Sequence, residues 1–405
     1  MKLPLVVRRE FPLGWVALIS AVGGAIVTSA LQLDPMQNPD SIAFLAIARS
    51  VLAGHGFRYQ EALIPGLDLL AFRAPGYPAF LAAGLMLHGI GSVIAIQGAM
   101  NGLAAALVGA IARDLGAGRW AWLAFALRLL WPSAWFYSGL LLNETLFEFV
   151  SILAVWLVLR GDARRQVSWC ILAGLCIAGA VLCRPVGIAL AGALGLWLLF
   201  RFPRAVLPFT AAALLAWSPW PVRNARALHA FVPFTTNGGA TTWAGTTDGR
   251  VLPAYLWMGA HVQLGELGFD RHFYALARER MRADPGAMRA GALRRAVTYL
   301  GPIRGTDSSL WASRFAMMAA LAALAMATAR RRAVLPLLIW VAQGAMMVPI
   351  FLIARYRFPT EWCVVVTAAL GVQGVAERWG PRRASALALA ALVLCIGGSL
   401  ALSRR

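Results

Sequence analysis

Gly76-Tyr77-Pro78-Ala79-Phe80-Leu81-Ala82-Ala83-Gly84-Leu85-Met86-Leu87-His88-Gly89-Ile90-Gly91 is apolar almost throughout, and it is interrupted by Pro78 and His88. It falls short of the roughly 18–20 apolar residues that a spanning helix needs. Its placement decides the topology. If it crosses a membrane, every later loop changes side and the arginine clusters face outward. If it lies along the outer interface, every short basic cluster falls on the inner side, as the positive-inside rule requires. The second placement predicts an interfacial helix over 76–91, ahead of a true span near 93–112.

The rest of the chain supports a membrane reading. Of 405 residues, 60% are hydrophobic and 13% are charged, and the mean hydropathy is +0.69. Soluble domains carry about a quarter charged residues. The net charge of +20 comes in short clusters between apolar runs rather than in a basic domain, which excludes a nucleic-acid partner and suits lipid headgroups. Lys2 is the sole lysine. Cys170, Cys176, Cys183, Cys363 and Cys395 lie in or beside apolar runs without a Cys-x-x-Cys pair, and read as packing residues. The five histidines have no zinc spacing, and neither a phosphate-binding loop nor a dinucleotide glycine fingerprint occurs.

These features predict an all-α polytopic membrane protein, one membrane domain over 1–405 with about 11 transmembrane helices. The run from Phe11 to Leu31, behind Lys2, Arg8 and Arg9, is long for a signal-peptide core and reads as an uncleaved anchor. Later spans are expected near 93–112, 119–138, 144–160, 168–183, 186–201, 204–221, 310–329, 333–353, 357–375 and 384–402. The inner loops then hold Arg113 and Arg119; Arg160, Arg164 and Arg165; Arg201 and Arg204; Arg330–Arg332; and Arg378, Arg382 and Arg383. Outside lie a first loop over 32–92, a short turn over 132–144 and a long loop over 222–309, followed by C-terminal helices over 310–405. The long loop contains a Gly/Thr-rich stretch, Thr235 to Gly249, and two basic helices near 270–283 and 286–300. No internal repeat suggests a two-fold transporter.

Polar motifs gather at the outside ends. Asp40 stands at the N-cap position of a helix that Gly54 ends, before His55-Gly56-Phe57; it either caps that helix or is held ionised at its start, facing a cavity. Arg73-Ala-Pro-Gly-Tyr77-Pro is a stiff turn into the interfacial helix; it is either that alone or a means of placing Arg73 near a phosphate. Glu144 opens a span, where it either satisfies the helix dipole or is the second acidic group of a site, and Glu148 follows one turn deeper, where a carboxylate needs a partner or a wet cavity. Arg184-Pro185 and Pro219-Trp-Pro-Val-Arg223-Asn224 break the chain at outside ends. In Arg355-Tyr356-Arg357-Phe-Pro359, the proline favours extended geometry, which would put Arg355 and Arg357 on one side. Arg128, inside the proposed third span, has no assigned role.

Taken in order, these motifs resemble the GT-C superfamily of membrane glycosyltransferases, and within it the family 39 branch of protein O-mannosyltransferases and aminoarabinose transferases. The carrying residues are Asp40 with Gly54-His55-Gly56-Phe57, Arg73-Ala-Pro-Gly-Tyr77-Pro, Asn143-Glu144-Thr-Leu-Phe, Arg184-Pro185, Pro219-Trp-Pro-Val-Arg223-Asn224 and Arg355-Tyr356-Arg357-Phe-Pro. The resemblance implies a polyprenyl-phosphate-linked sugar as donor and a catalytic acid at Asp40. It puts Arg355, Arg357, Arg184, Arg223 and Arg73 on the donor phosphate. Glu144 is a second catalytic group, and Tyr77, His55, Asn224, Asn237 and Tyr356 contact acceptor or sugar. Ser41 stands where those families often carry a neighbouring acid, so no metal ligand set is assigned and a divalent metal is the lesser alternative. The expected reaction is an inverting displacement on the periplasmic face of a bacterial inner membrane, with Asp40 as base and a glycolipid, glycan or protein as acceptor. The rival functions are a lipid-linked glycan flippase or transporter, a polysaccharide ligase-like enzyme, and a non-catalytic scaffold.

Overall fold

The computed structural model describes residues 12–60, 67–247, 254–300, 321–322, 324–350 and 354–402. In chain order the labelled helices are α1 (Leu13–Ala30), α2 (Pro39–Leu52), α3 (Gly76–Asp114), α4 (Ala121–Leu129), α5 (Pro132–Ser138), α6 (Glu144–Arg164), α7 (Val167–Cys183), α8 (Gly187–Arg201), α9 (Val206–Trp217) and α10 (Pro219–Leu228). They continue with α11 (Gly238–Thr246), α12 (Ala254–Ala283), α13 (Pro285–Leu300), α14 (Arg330–Ile350), α15 (Ala354–Arg357), α16 (Glu361–Trp379) and α17 (Pro381–Leu402). Two short strands interrupt the helical pattern in the first loop: β1 (Tyr59–Gln60) pairs antiparallel with β2 (Asp68–Leu69).

Among the described residues, five helices are long and apolar enough to cross a membrane, over 13–30, 76–114, 203–228, 330–350 and 355–379. Helices α7 and α8 are apolar but shorter, and the expected span at 310–329 falls largely outside the described residues. The expected span over 119–138 is not one helix. Trp131 is extended (φ −75°, ψ 111°) and Pro132 starts α5 anew, because proline crowds the residue before it out of the helical region and offers no N–H. The expected break between 76–91 and 93–112 is a kink at His88 and Gly89 (φ 71°, ψ −154°), a conformation glycine adopts without a Cβ clash. Ser92 Oγ caps the kink by donating to the carbonyls of Gly84 (2.7 Å) and Gly89 (2.8 Å). The basic helix expected from 270 begins much earlier, at Ala254, and bends at Gly265 (φ 66°).

Helix α1 packs on α3 without side chains between the backbones. A Cβ added to Gly24 would overlap the Gly98 carbonyl, one on Gly98 would overlap that of Gly24, and one on Gly102 would overlap that of Ser20. Small residues spaced by four let helices approach closely where lipid removes the hydrophobic drive for association. Gly98→Leu is therefore expected to destabilise the bundle by about 3 kcal/mol through overpacking. Thermal unfolding in detergent measures this against Gly23→Ala, whose added methyl meets nothing within 4 Å. Equal midpoints for the two variants would refute the close-packing account.

The basic clusters meet at one end of the bundle. Asp114 pairs with Arg113 (2.8 Å) and Arg160 (3.4 Å), Asp162 with Arg165 (3.2 Å) and Arg201 (3.0 Å), and Arg332 with Glu377 (2.8 Å). The motifs expected at the outside ends gather elsewhere, over an apolar bed made of Phe44, Tyr77, Leu81, Leu140, Leu142, Phe147, Cys183 and Val186. Large side chains such as Ile19, Phe200, Leu207 and Leu215 stay exposed on α1, α8 and α9, a surface that suits lipid. The chain is a multi-pass helical membrane protein.

Candidate active site

The first side chain of the site is released by a capping exchange. Asn38, not Asp40, caps α2: its Oδ1 accepts from the Asp40 N–H at 3.0 Å, and Pro39 occupies the first turn, where a missing N–H costs nothing. The expectation that Asp40 sits at the N-cap is corrected by two residues, and its carboxylate points elsewhere. The far end of α2 follows expectation. Gly54 has φ 80°, and the His55 N–H returns to the Ser50 carbonyl at 2.9 Å, closing a left-handed cap.

Arg73 Nη2 donates to Asp40 Oδ1 at 2.5 Å, and Arg355 Nη2 donates to Asp40 Oδ2 at 2.6 Å. Arg355 also places Nε 2.7 Å from Glu144 Oε1, and Arg184 Nη1 donates to that same oxygen at 2.9 Å. Three guanidiniums and two carboxylates thus form one continuous cluster, with a surplus of one positive charge. Arg355 is its bridge. Exposure falls from 24% at Asp40 to 0% at Glu144, so the cluster has an open mouth and a closed floor. Burial by itself would raise the Asp40 carboxyl; Arg73 and Arg355, followed by Arg184, overcome it and hold Asp40 below the usual carboxylate range.

Each member is fixed by its own element. Tyr77 Oη donates to Gln97 Oε1 at 2.8 Å, and Gln97 Nε2 donates to the carbonyls of Ser138 (2.9 Å) and Leu140 (2.8 Å), which anchors the segment leading into Glu144. Asn143 Nδ2 donates to the Cys183 carbonyl at 2.9 Å and so sets Glu144 in register with Arg184. The Arg184 guanidinium lies 4.7 Å from the Tyr356 ring centre, and that of Arg73 lies 4.5 Å from the Phe72 ring, contacts that hold a planar cation while leaving its edges free to donate.

Other sequence candidates lie apart. Residues 354–357 are helical rather than extended, so Arg355 and Arg357 diverge: Arg357 Nε donates to Glu361 Oε1 at 2.8 Å and its Nη1 to the Thr298 carbonyl at 3.1 Å. The local reason is that Pro359 sits in the first turn of a new 3-10 helix (Phe358–Thr360), where proline is tolerated, while the four-residue spacing of Arg357 and Glu361 favours a helical pair. Arg223 donates to the carbonyls of Leu70 (2.5 Å) and Phe57 (2.9 Å), and Asn224 Nδ2 to that of Val232 (3.0 Å). Tyr77 is buried beneath the cluster, His55 is exposed on the Gly54 turn, and Asn237 precedes α11. Arg128, unassigned from sequence, pairs with Glu148 inside the bundle at 2.6 Å. Glu266 and Glu361 were not singled out; only Glu361 carried a sequence signal, its spacing from Arg357.

The carboxylates of the cluster are engaged by arginines. Among the described residues no three His, Cys, Asp or Glu side chains come together as a ligand group.

No family model matches the sequence, and no curated protein does. The fold is matched among solved structures. The Archaeoglobus fulgidus oligosaccharyltransferase in complex with Zn and sulfate is 16% identical with a TM-score of 0.58, over 95% of this chain and 53% of that one. The archaeal oligosaccharyltransferase AglB from the same organism, in complex with an inhibitory peptide and a dolichol-phosphate, is 14% identical with a TM-score of 0.53, over 95% of this chain and 56% of that one. ArnT from Cupriavidus metallidurans bound to undecaprenyl phosphate is 18% identical with a TM-score of 0.44, over 90% of this chain and 78% of that one. The chain spans little more than half the length of the oligosaccharyltransferases it matches. At these identities the likeness is one of fold, shared with the oligosaccharyltransferases.

Proposed function

We propose that this GT-C chain transfers a sugar from a polyprenyl-phosphate donor to an acceptor hydroxyl at the outer, periplasmic face of a bacterial inner membrane. One observation carries the reading: Arg355 joins Asp40 of the first outside loop to Glu144 of α6 through direct ion pairs. Side chains from five separate stretches of sequence converge there. The dolichol-phosphate in the AglB complex is the same class of lipid carrier.

The chemistry follows from the charges. The donor carries a phosphodiester with one negative charge, and the cluster has one positive charge in surplus. The phosphate draws Arg355 and Arg73 toward its oxygens, which frees an oxygen of Asp40. Asp40 then takes the proton of the acceptor hydroxyl. The hydroxyl oxygen bonds to the anomeric carbon, and the bond from that carbon to the phosphate oxygen breaks with inversion. The bond's electron pair leaves on the lipid phosphate, whose second charge Arg355, Arg184 and Arg73 stabilise. Glu144, fully buried, holds Arg355 and Arg184 in place for this. Arg357, paired with Glu361, supports the bundle rather than the phosphate.

A flippase or transporter would need wet polar groups through the bilayer depth. The deep pair Arg128–Glu148 is closed on itself at 2% exposure each, which favours transfer over transport. The decisive assay uses purified full-length protein in lipid with a radiolabelled polyprenyl-phosphate sugar and membrane extract as acceptor. Label is expected in a new product. Intact donor after incubation with folded protein would point instead to the flippase or ligase functions.

A further inference from the structure

Resting on this functional reading, we propose that Glu266 of α12 is a positioning residue that sets Arg73 in the donor-phosphate cluster by clamping the backbone of the first outside loop. Glu266 is 9% exposed, and its carboxylate meets the backbone of that loop directly. Oε2 accepts from the Leu70 N–H at 2.6 Å, and Oε1 accepts from the Ala71 N–H at 2.7 Å and from Thr236 Oγ1 at 2.6 Å. The remaining polar groups of this dipeptide are held from the same side. The Leu70 carbonyl accepts from Arg223 Nη1 at 2.5 Å, and the Ala71 carbonyl accepts from the Thr236 N–H at 2.9 Å.

All four backbone polar groups of Leu70 and Ala71 therefore bond to the long outside loop or to α10. Two residues later, Arg73 reaches Asp40 at 2.5 Å. Neither Leu70 nor Ala71 belongs to the strand ladder, which ends at Leu69, so their backbone groups are fixed by these contacts rather than by a sheet. Aromatic contacts finish the placement: Phe72 meets Trp257 of α12 edge-on, with ring centres 5.2 Å apart, and lies under the Arg73 guanidinium. An ionised carboxylate suits this task because it accepts at both oxygens and donates at neither.

Glu266→Gln keeps the shape and spoils one contact. With its oxygen toward Ala71 and Thr236, its amide nitrogen meets the Leu70 N–H, donor against donor. Two readouts test the clamp on the full chain in lipid. The first is amide hydrogen exchange. Leu70 and Ala71 are expected to exchange about tenfold faster in Glu266→Gln, with a smaller rise in Thr236→Val, which removes only the hydroxyl donor. The His55 amide, held within the α2 cap, should not change. The second is binding of farnesyl phosphate to wild type, Glu266→Gln, Arg73→Gln and the double variant. Glu266→Gln is expected to weaken binding about tenfold, and to add nothing once Arg73 is gone. Unchanged exchange at Leu70 and Ala71 would overturn the clamp. So would losses from the two variants that multiply in the double, because Glu266 would then act apart from Arg73. Absence of farnesyl phosphate binding by wild type, with exchange accelerated in Glu266→Gln, would instead remove the phosphate reading and leave the clamp standing.

Discussion

Asp40→Asn is expected to reduce transfer about a thousandfold while the protein expresses and folds as wild type. The amide keeps the volume of the carboxylate and can still accept from one guanidinium, so the cap at Asn38 and the packing of α2 are untouched. What it loses is basicity and charge. Removing one carboxylate raises the surplus of the cluster by one positive charge, and a phosphodiester donor then binds as well as before or more tightly. A fall in turnover together with undiminished donor affinity separates a base from a residue that merely shapes the pocket. The pH profile supplies a further check. Asp40 in the free enzyme lies below its ordinary value because Arg73 and Arg355 outweigh its burial. The acid limb of kcat/KM, which follows free enzyme, should therefore lie below the usual carboxylate range, and it should move upward in Arg73→Gln. The stability sign agrees: a carboxylate with a depressed folded-state pKa contributes stability above its unfolded value and loses it as pH falls through the folded one. Turnover within threefold of wild type in Asp40→Asn would remove Asp40 as the base.

Much of this architecture is legible in the residues, and what is not has identifiable physical causes. The membrane class follows from apolar runs and scattered arginines, because a bilayer imposes both. Gly54 announces the end of α2, since only glycine enters the left-handed region freely. Asp40 as cap was a near miss: Asn38-Pro39-Asp40 offers two capping residues, and the proline, which fits the first helical turn, favours the earlier one. Pro132 and Pro359 show the two sides of proline's effect on a helix. Proline disfavours continuation of a helix but fits its first turn, so Pro132 divides a predicted span and Pro359 lies in the opening of a 3-10 turn rather than in an extended segment. Pairings across long sequence distances, such as Arg355 with Asp40 and Glu266 with Leu70, have no local signal. Sequence order names the charged residues at the outer end but not which carboxylate each guanidinium meets, since that depends on how α2, α6 and α15 converge.

Arg128→Met is expected to destabilise the bundle by about 3–5 kcal/mol, among the largest single effects available in this chain. Arg128 Nε and Nη2 hold both oxygens of Glu148, at 3.1 Å and 2.6 Å, and Nη1 reaches Asn101 Oδ1 at 2.9 Å. With Arg128 gone, Glu148 is left buried without a countercharge, and that uncompensated group carries most of the cost. Replacing both, Arg128→Met with Glu148→Leu, is expected to recover most of the loss, because two buried charges and their desolvation vanish together. Denaturant or thermal unfolding in lipid–detergent micelles measures each variant, and the transfer assay then gives the pair its role. Glu148 stands one helical turn beneath Glu144, so two explanations compete: the pair locks α3, α4 and α6 in register below the site, or it relays charge through the bundle. A stable double variant that still transfers sugar leaves only the lock. A stable double variant that no longer does so requires the charges themselves, and the argument that a closed pair at this depth disfavours transport would fail with it.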